Sequence, residues 1–507
     1  MTQGLVVLLG VVIYFAILIG IGTLSYRMSY RTPEDFFVAR RGIGSFALLI
    51  GIFATNMTAF FMLGIPGAAY HNGIGIYGWV AAPVTILTPL FFYLIGYPCW
   101  ILGKHYGYMT PPEIFGARWN SRPVTLTMFA LLTFYTIPYL VLGVIGGGLA
   151  FDSMTDGLVP YWVGGLLVLI IVFAYVLLGG LRGTAWANVF QGLLFLVFLV
   201  IAFFWISGEL GGLTYLTQRL VAEKPQLLVR DQIASFEPKL WFSYILVPPL
   251  AVIMFPHVFI RLLAAKDHRS IRATCTLFPV AIILGWIPVV LIGTWGALAV
   301  PGLEGKASDA IMPMMISRYL PQLLVVMGVA AIFATIMSSL DAQILALSTL
   351  FARDFLGAWR HRKPMDGTRQ ILWGRVFILM IGIIIYGLAL QQPASILRIA
   401  DYAFTGYVQL IPVALGALYW PRCTKEGALA AMAGGTLLLF VMPGGPFPLL
   451  PASLLFGFMP VVPCLVVTIS VLVIVSLLTR PQPSPWPWDL RAILRGESLT
   501  VSSDQAT

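Results

Sequence analysis

Runs of about twenty apolar residues recur along the whole chain, and nothing else in the sequence constrains the fold as strongly. A helix needs about 20 such residues to cross a bilayer. Thirteen segments qualify: 3–26, 44–69, 76–101, 124–151, 161–180, 186–208, 241–262, 274–299, 321–352, 373–391, 396–420, 427–443 and 457–479. Only 10% of the 507 residues are charged, against roughly 25% in a soluble chain. The expectation is an all-α integral membrane protein of thirteen transmembrane helices. Its first segment begins at residue 3 with no basic leader and no small-residue cleavage site, and so reads as an anchor, not a signal peptide.

Basic residues set the expected orientation. With the amino terminus outside, every second connection collects 23 of the 30 Lys and Arg. Arg27, Arg31, Arg40 and Arg41 come first, then Lys104, Arg118, Arg122 and Arg182. Arg261, Lys266, Arg269 and Arg272 follow, and the rest lie after residue 350. The carboxyl terminus is then cytoplasmic and the protein multi-pass in the cell (inner) membrane. The formal net charge of +10 is a topology signal, because the basic residues are scattered over short loops with no aromatic-interleaved patch for nucleic acid. Four dispersed cysteines form no CxxC, and the five histidines no HxxxH pair, so neither a disulfide frame nor a zinc site is indicated. No nucleophile–base pair or metal-protease motif marks an enzyme. Residues 209–240 form a polar external connection with a helix-like "LTYLTQRLVAEK", and the Pro-rich, then polar tail 480–507 is expected to be disordered or to lie on the membrane surface.

Two segments carry interruptions that an anchor has no use for. "FATNMTAFFMLGIPG", 53–67, holds Thr55, Asn56 and Thr58 at its centre; "VPPLAVIMFPHVF", 247–259, holds three prolines and His257. Polar groups and broken backbone at membrane depth are tolerated only where protein or a cavity satisfies them, and each proline removes a donor and frees a carbonyl. The two segments are the second and the seventh, five spans apart, which is the sequence sign of an inverted-repeat transporter with its site near the midplane. In the ninth, "AAIFATIMSSLDAQILALSTLF", Thr335, Ser338 and Ser339 fall at i, i+3 and i+4 on one helical face. Asp341 lies close beyond them. A hard cation takes about five or six oxygen ligands, which opened carbonyls and facing hydroxyls supply without many net charges.

Four quoted motifs in order resemble the sodium:solute symporter family. "DFFVARRGIGSFALLIGIFATNMTAFFMLGIPGAAYHNG" is similar to the family's first core helix and its lead-in, and "YVLLGGLRGTAWANVFQG" (175–192) to the join of core helices four and five. "ATIMSSLDAQILALSTLFARDF" (334–355) resembles core helix eight, and "ALGALYWPRCTKEGALAAMAGG" (414–435) the exit of helix ten. The resemblance implies a five-plus-five inverted repeat of the leucine-transporter type. Residues 1–43 form a leading helix and cytoplasmic loop, 44–208 and 241–420 the two repeats, 209–240 their external connection, and 421–479 two trailing helices. It also implies a sodium site built from the carbonyls of Ala54, Met57 and Thr335 and the hydroxyls of Ser338 and Ser339.

One departure stands out. Family members with a second sodium site place Asp on core helix five in a "W-T-D-V" context, where this chain reads Trp186, Ala187, Asn188 and Val189. Asp341 instead stands where a hydroxyl is expected. Two readings stay open: Asn188 with Asp341 binds a second cation, sodium or proton, or Asp341 is neutral or paired with a nearby basic group.

For the solute, "FPHVFIRLLAAKDHRSIRATCTLFP" (255–279) resembles the branch that moves small organic acids and pantothenate. The expected solute contacts, Asn56, Thr58, Phe61, His257, Tyr402 and Gln409, are aromatic and sparsely polar, unlike a sugar site. A monocarboxylate is favoured over pantothenate or a proline-like amino acid. His257 reads either as a solute contact or as a structural histidine at a kink. A monomer suffices for this architecture. The rival of another class is a solute sensor, which in this build usually continues into a kinase or regulatory domain; here it would have to signal through a separate protein.

Overall fold

The computed structural model describes residues 3–28, 32–155, 157–230, 236–359, 366–391, 396–483 and 486. The tail beyond Trp486 lies outside the described residues. Among those described, the chain is all helical apart from one isolated bridge between Ile43 and Ala265.

Helix α1 is Gln3–Arg27 and α2 the short Pro33–Val38. The second span is broken, with α3 at Ser45–Asn56 and α4 at Phe60–Asn72, bent by 59°. Helices α5 (Tyr77–Tyr106), α6 (Pro111–Ala117) and α7 (Arg122–Met154) follow. Helix α8 is the 49-residue Tyr161–Glu209, and α9 is Leu213–Glu223, where a helix was expected outside the spans. The seventh span is broken into α10 (Pro238–Met254) and α11 (Pro256–Leu263), bent by 51°. After it come α12 (His268–Ala299), α13 (Ile311–Tyr319), α14 (Gln322–Phe355), α15 (Gly367–Leu390), α16 (Ile396–Tyr419), α17 (Lys425–Val441) and α18 (Val461–Leu478).

Among the described residues, nine helices are long and apolar enough to cross a membrane, or eleven if each bent pair is one span. That count differs from the expected thirteen at two places. Helix α17 has only 17 residues. Helix α8 covers two expected segments; at 1.5 Å per residue, 49 residues extend about 74 Å, more than twice a hydrocarbon core of about 30 Å. It breaks at Gly180, where φ is 55° and ψ is −154°, a conformation open essentially to glycine alone. A Cβ there would also stand 2.9 Å from the Phe36 carbonyl oxygen. Tyr175 precedes this break and Asn188 follows it.

Short connections are closed by side-chain caps. Thr32, Thr110, Ser121, Asp267 and Thr424 each accept a backbone N–H from the helix they open, which satisfies donors left over in the first turn. Residues such as Phe204, Ile383 and Leu437 are exposed on the outside, as a lipid-facing surface requires. The core between the helices is occupied by α3, α8, α11, α14 and α16.

Candidate functional site

The two broken spans are held together at one end. Ile43 donates its N–H to Ala264 O (3.2 Å) and its carbonyl accepts from Lys266 N (2.9 Å). Arg41 Nη1 reaches Leu263 O at 2.9 Å, and its Nη2 reaches Tyr108 O at 2.7 Å. The start of α3 is thus pinned to the end of α11, so the two half-helices run beside each other into the core.

Helix α3 stops at Asn56, and Met57 turns extended (φ −87°, ψ 116°). Thr58 restarts the chain by accepting the Phe60 N–H on its hydroxyl at 3.0 Å, a cap of the kind Ser and Thr supply at helix openings. The gap lets a neighbouring helix reach the backbone. Ser338 Oγ on α14 donates to Ala54 O at 2.9 Å and lies 3.1 Å from Thr335 O. Three of the five oxygens expected to bind sodium therefore converge directly. Ser339 is next on the stripe, and its hydroxyl accepts from Gln343 Nε2; Met57 is buried in the gap itself. Thr335 Oγ1 is spent on Ala331 O, four residues back, which leaves its carbonyl as the ligand it can offer. These are hard oxygen donors, three of them carbonyls, in a water-poor setting: a set suited to an alkali cation.

Asp341 lies one turn beyond Ser338. Its Oδ1 accepts from Asn188 Nδ2 at 3.1 Å and its Oδ2 from the Tyr175 hydroxyl at 2.9 Å. The sequence reading joined Asn188 to Asp341 but missed Tyr175, which the Gly180 break folds back across the same carboxylate.

The expected solute residues divide. Thr58, Phe61 and His257 surround the two breaks. Phe61 and Phe60 lie against Trp286, with ring centroids 5.4 and 6.5 Å away. His257, in the first turn of α11, stacks on Phe255 at 5.4 Å and approaches Tyr139 at 6.2 Å, while Phe404 edges onto Phe60, Tyr139 and Phe255. Neither nitrogen of buried His257 makes a good hydrogen bond, nor does Trp286 Nε1; the histidine ring lies beside the Thr55 backbone. Asn56 is partly exposed at the gap. Tyr402 is half-buried with its hydroxyl unpartnered. Gln409 faces the other way, accepting from Thr468 Oγ1 on α18 at 2.7 Å and donating to Thr405 O.

Tyr139, Phe255, Trp286 and Phe404 were not singled out from sequence, since an isolated aromatic in an apolar span carries no mark of what it faces. Arg261 was placed with the loop residues, and the structure corrects this: it is 1% exposed, in the last turn of α11. Its spacing of four from His257 was the available signal, because it puts both on one face of a helix.

Comparisons with known proteins give a family and a fold. The profile of the sodium:solute symporter family matches residues 36–435. The sodium/proline symporter of Staphylococcus aureus (strain USA300 / TCH1516) is 26% identical over 496 residues, spanning 95% of this chain and 94% of that protein. Among solved structures, a Na+-coupled sialic acid symporter in a substrate-bound outward-open state superposes with a TM-score of 0.76 at 18% identity, covering 96% of this chain and 99% of that one. A nucleobase-cation-symport-1 family transporter, closed with bromovinylhydantoin bound, gives 0.53 at 12% identity over 89% and 96%.

Proposed function

The chain belongs to the sodium:solute symporter family, and on that premise we propose that it couples sodium entry to uptake of a small carboxylate-bearing solute by alternating access. Sodium binds between Ala54, Met57, Thr335, Ser338 and Ser339. The observation that carries this is the 2.9 Å approach of Ser338 Oγ to Ala54 O across the helix gap. The solute binds at the aromatic chamber beside it, with Asn56, Thr58, Phe61, His257 and Tyr402 in contact. Its apolar body rests on Phe60, Phe61, Trp286 and Phe404, and its carboxylate meets His257 and the N–H groups of the restarted α4, where a helix start favours an anion. Gln409 would join them only if its bond to Thr468 opened. Asn188 and Asp341 form a second cation-attracting site. The repeats span 44–208 and 241–420, in the inner membrane, with the amino terminus outside and the pinned Arg41 end at the cytoplasm.

Energy bears on the solute's charge. A tenfold sodium gradient is worth about 1.4 kcal/mol and one charge across 100 mV about 2.3 kcal/mol. One sodium with a net-neutral solute has roughly 3.7 kcal/mol, enough for about 500-fold accumulation. With a monoanion the voltage term vanishes and about tenfold remains, unless a second cation is carried. A monocarboxylate is one reading. A proline-like zwitterion is the other, favoured by the 26% identity to a sodium/proline symporter over nearly the whole chain.

The test is uptake into proteoliposomes of radiolabelled proline, lactate, pyruvate and pantothenate, with sodium and with potassium in its place. Sodium-dependent accumulation of one of them that Ser338→Ala abolishes is the expected result. Uptake indifferent to sodium, or none for any carboxylate, overturns the reading.

A further inference from the structure

Helix α1 and the second half of α8 each turn one face towards a shared groove. On α1 the face is Ile21, Leu24 and Met28; on α8, beyond the Gly180 break, it is Arg182, Trp186, Val189 and Phe190. Both sets advance by three or four residues, so each is a single helical stripe. Two such stripes ordinarily interdigitate. Here the helices meet through glycines instead. A Cβ on Gly22 would stand 2.7 Å from Tyr175 Cβ, and one on Gly183 3.5 Å from Ser25 Cβ. Beside that contact two hollows of about 380 and 370 Å³ stay open and share Met28 and Trp186 as walls. Each is of a size that holds a ligand.

The two hollows differ in character. The first is walled by the aliphatic and aromatic side chains of both stripes. The second is bounded by Ala39, Gly42 and Ile43, in the lead-in to α3, and by Arg182. Trp186 stands between them, 60% exposed, with Leu24 and Met28 as open to the outside. Tryptophan is enriched where the hydrocarbon gives way to headgroups, so its place here sets the apolar hollow in the acyl region and the other at headgroup depth. Arg182 donates to the buried carboxylate of Asp35 at 2.7 Å and is still a quarter exposed. Arg27 and Arg40 are exposed next to the lining residues Met28 and Ala39, and Arg41 is half-buried beside them. With Glu34 and Asp35 as the acids of this stretch, four guanidiniums stand against two carboxylates.

We propose that an anionic phospholipid occupies this groove, with an acyl chain in the apolar hollow beneath Trp186 and its phosphate against Arg182 and Arg40. The inference goes beyond the symporter reading and does not depend on it. An acyl chain fills apolar space that opens onto lipid, and a phosphate diester accepts from guanidinium donors at short range. The surplus positive charge selects the headgroup: a choline or ethanolamine would bring one more cation to it, whereas an anionic headgroup offsets it. So placed, the lipid props the segment that Ile43 pins to α11 and steadies the foot of α3.

Native mass spectrometry of the delipidated full-length chain measures this, with phosphatidylglycerol and phosphatidylcholine of the same acyl chains as probes. Wild type is expected to prefer phosphatidylglycerol by roughly tenfold or more. Arg40→Gln/Arg182→Gln is expected to lose about fivefold in phosphatidylglycerol affinity for each charge removed, with phosphatidylcholine unchanged. Leu24→Trp, which fills the apolar hollow and alters no charge, is expected to weaken both lipids. Arg422→Gln, a charge change at the trailing helices, is expected to weaken neither, and glycerol phosphate, the headgroup without chains, is expected not to compete. Equal affinity for the two lipids on wild type overturns the inference, as does wild-type binding by the double variant or by Leu24→Trp. An equal loss in Arg422→Gln or full competition by glycerol phosphate overturns it too, the first showing unspecific attraction and the second a site for a free phosphate. Should the double variant fail to fold, Arg40→Gln, at an exposed position, is expected to lose about fivefold by itself, and wild-type affinity there counts against the inference in the same way.

Discussion

The first and second broken spans bend by nearly the same angle, 59° and 51°, yet they are made differently. The first opens over residues 57–59 and its restart is capped by the Thr58 hydroxyl. The second turns at Phe255 alone, and Pro256 begins the new helix, where a missing N–H costs nothing. The first gap exposes acceptors, Ala54 O foremost, and meets hydroxyls. The second half-helix presents His257 and Arg261, donors and positive charge. The same bend therefore yields opposite chemistry: one break offers acceptors and the other offers donors.

The largest effect is expected at the carboxylate one turn beyond Ser338. Asp341→Ala strips the acceptor from both the Asn188 amide and the Tyr175 hydroxyl, and each buried donor left unpaired costs about 1–3 kcal/mol, measurable by thermal unfolding in detergent. A variant as stable as the wild type would show that neither donor depends on that carboxylate. Next comes the first break. Ser338→Ala removes the hydroxyl that bonds Ala54 O, and a loss of about 1.5–3 kcal/mol for a bond to a charged partner should raise the sodium concentration for half-maximal binding roughly 10–100-fold. An unshifted sodium titration separates Ser338 from the ion.

Thr58→Val sharpens the comparison of the two restarts. Losing that cap should lower stability by about 0.5–2 kcal/mol, whereas the Pro256 restart has no side-chain cap to lose. The smallest effect lies outside the membrane, where Asp309 packs against α4: a Cβ on Gly67 would stand 2.9 Å from its Oδ1. Burial pushes the Asp309 carboxyl up to about 6, above an unfolded value near 3.9. The folded state holds the proton more tightly, so this contribution to stability is fully present below about pH 4 and is lost as pH rises through about 6. Asp309→Asn, neutral throughout, should flatten that slope in thermal unfolding between those pH values; an unchanged slope assigns it elsewhere.

Much of the first break was legible because polar residues in an apolar run have few innocent explanations. Asn56 and Thr58 marked the gap, and Thr335, Ser338 and Ser339 marked the stripe that faces it. The prolines located the second break equally well. Arg261 escaped because a basic residue near the end of a span looks the same whether it reaches the interface or turns inward, and only its burial in the folded chain tells the two apart. Tyr175 escaped because its link to Asp341 depends on a reversal at Gly180, and a continuous apolar run does not announce where it doubles back. Gln409 was chosen for its amide in an apolar span, but the same amide serves equally to fasten α16 to α18, as its bond to Thr468 does.

The bond between Ser338 and Ala54 bears on how a carrier of this kind returns. On the sodium site proposed above, departure of the ion would let the hydroxyl take up the carbonyl that the ion had neutralised, so no bare dipole would be stranded in a dry interior. The latch closes on itself. The unloaded protein can then reorient without the penalty that an open ring of oxygens would impose, and sodium, on rebinding, has to displace a weak internal bond of about 1 kcal/mol. That modest competition loosens sodium equally on both sides, so its concentration alone decides where it leaves.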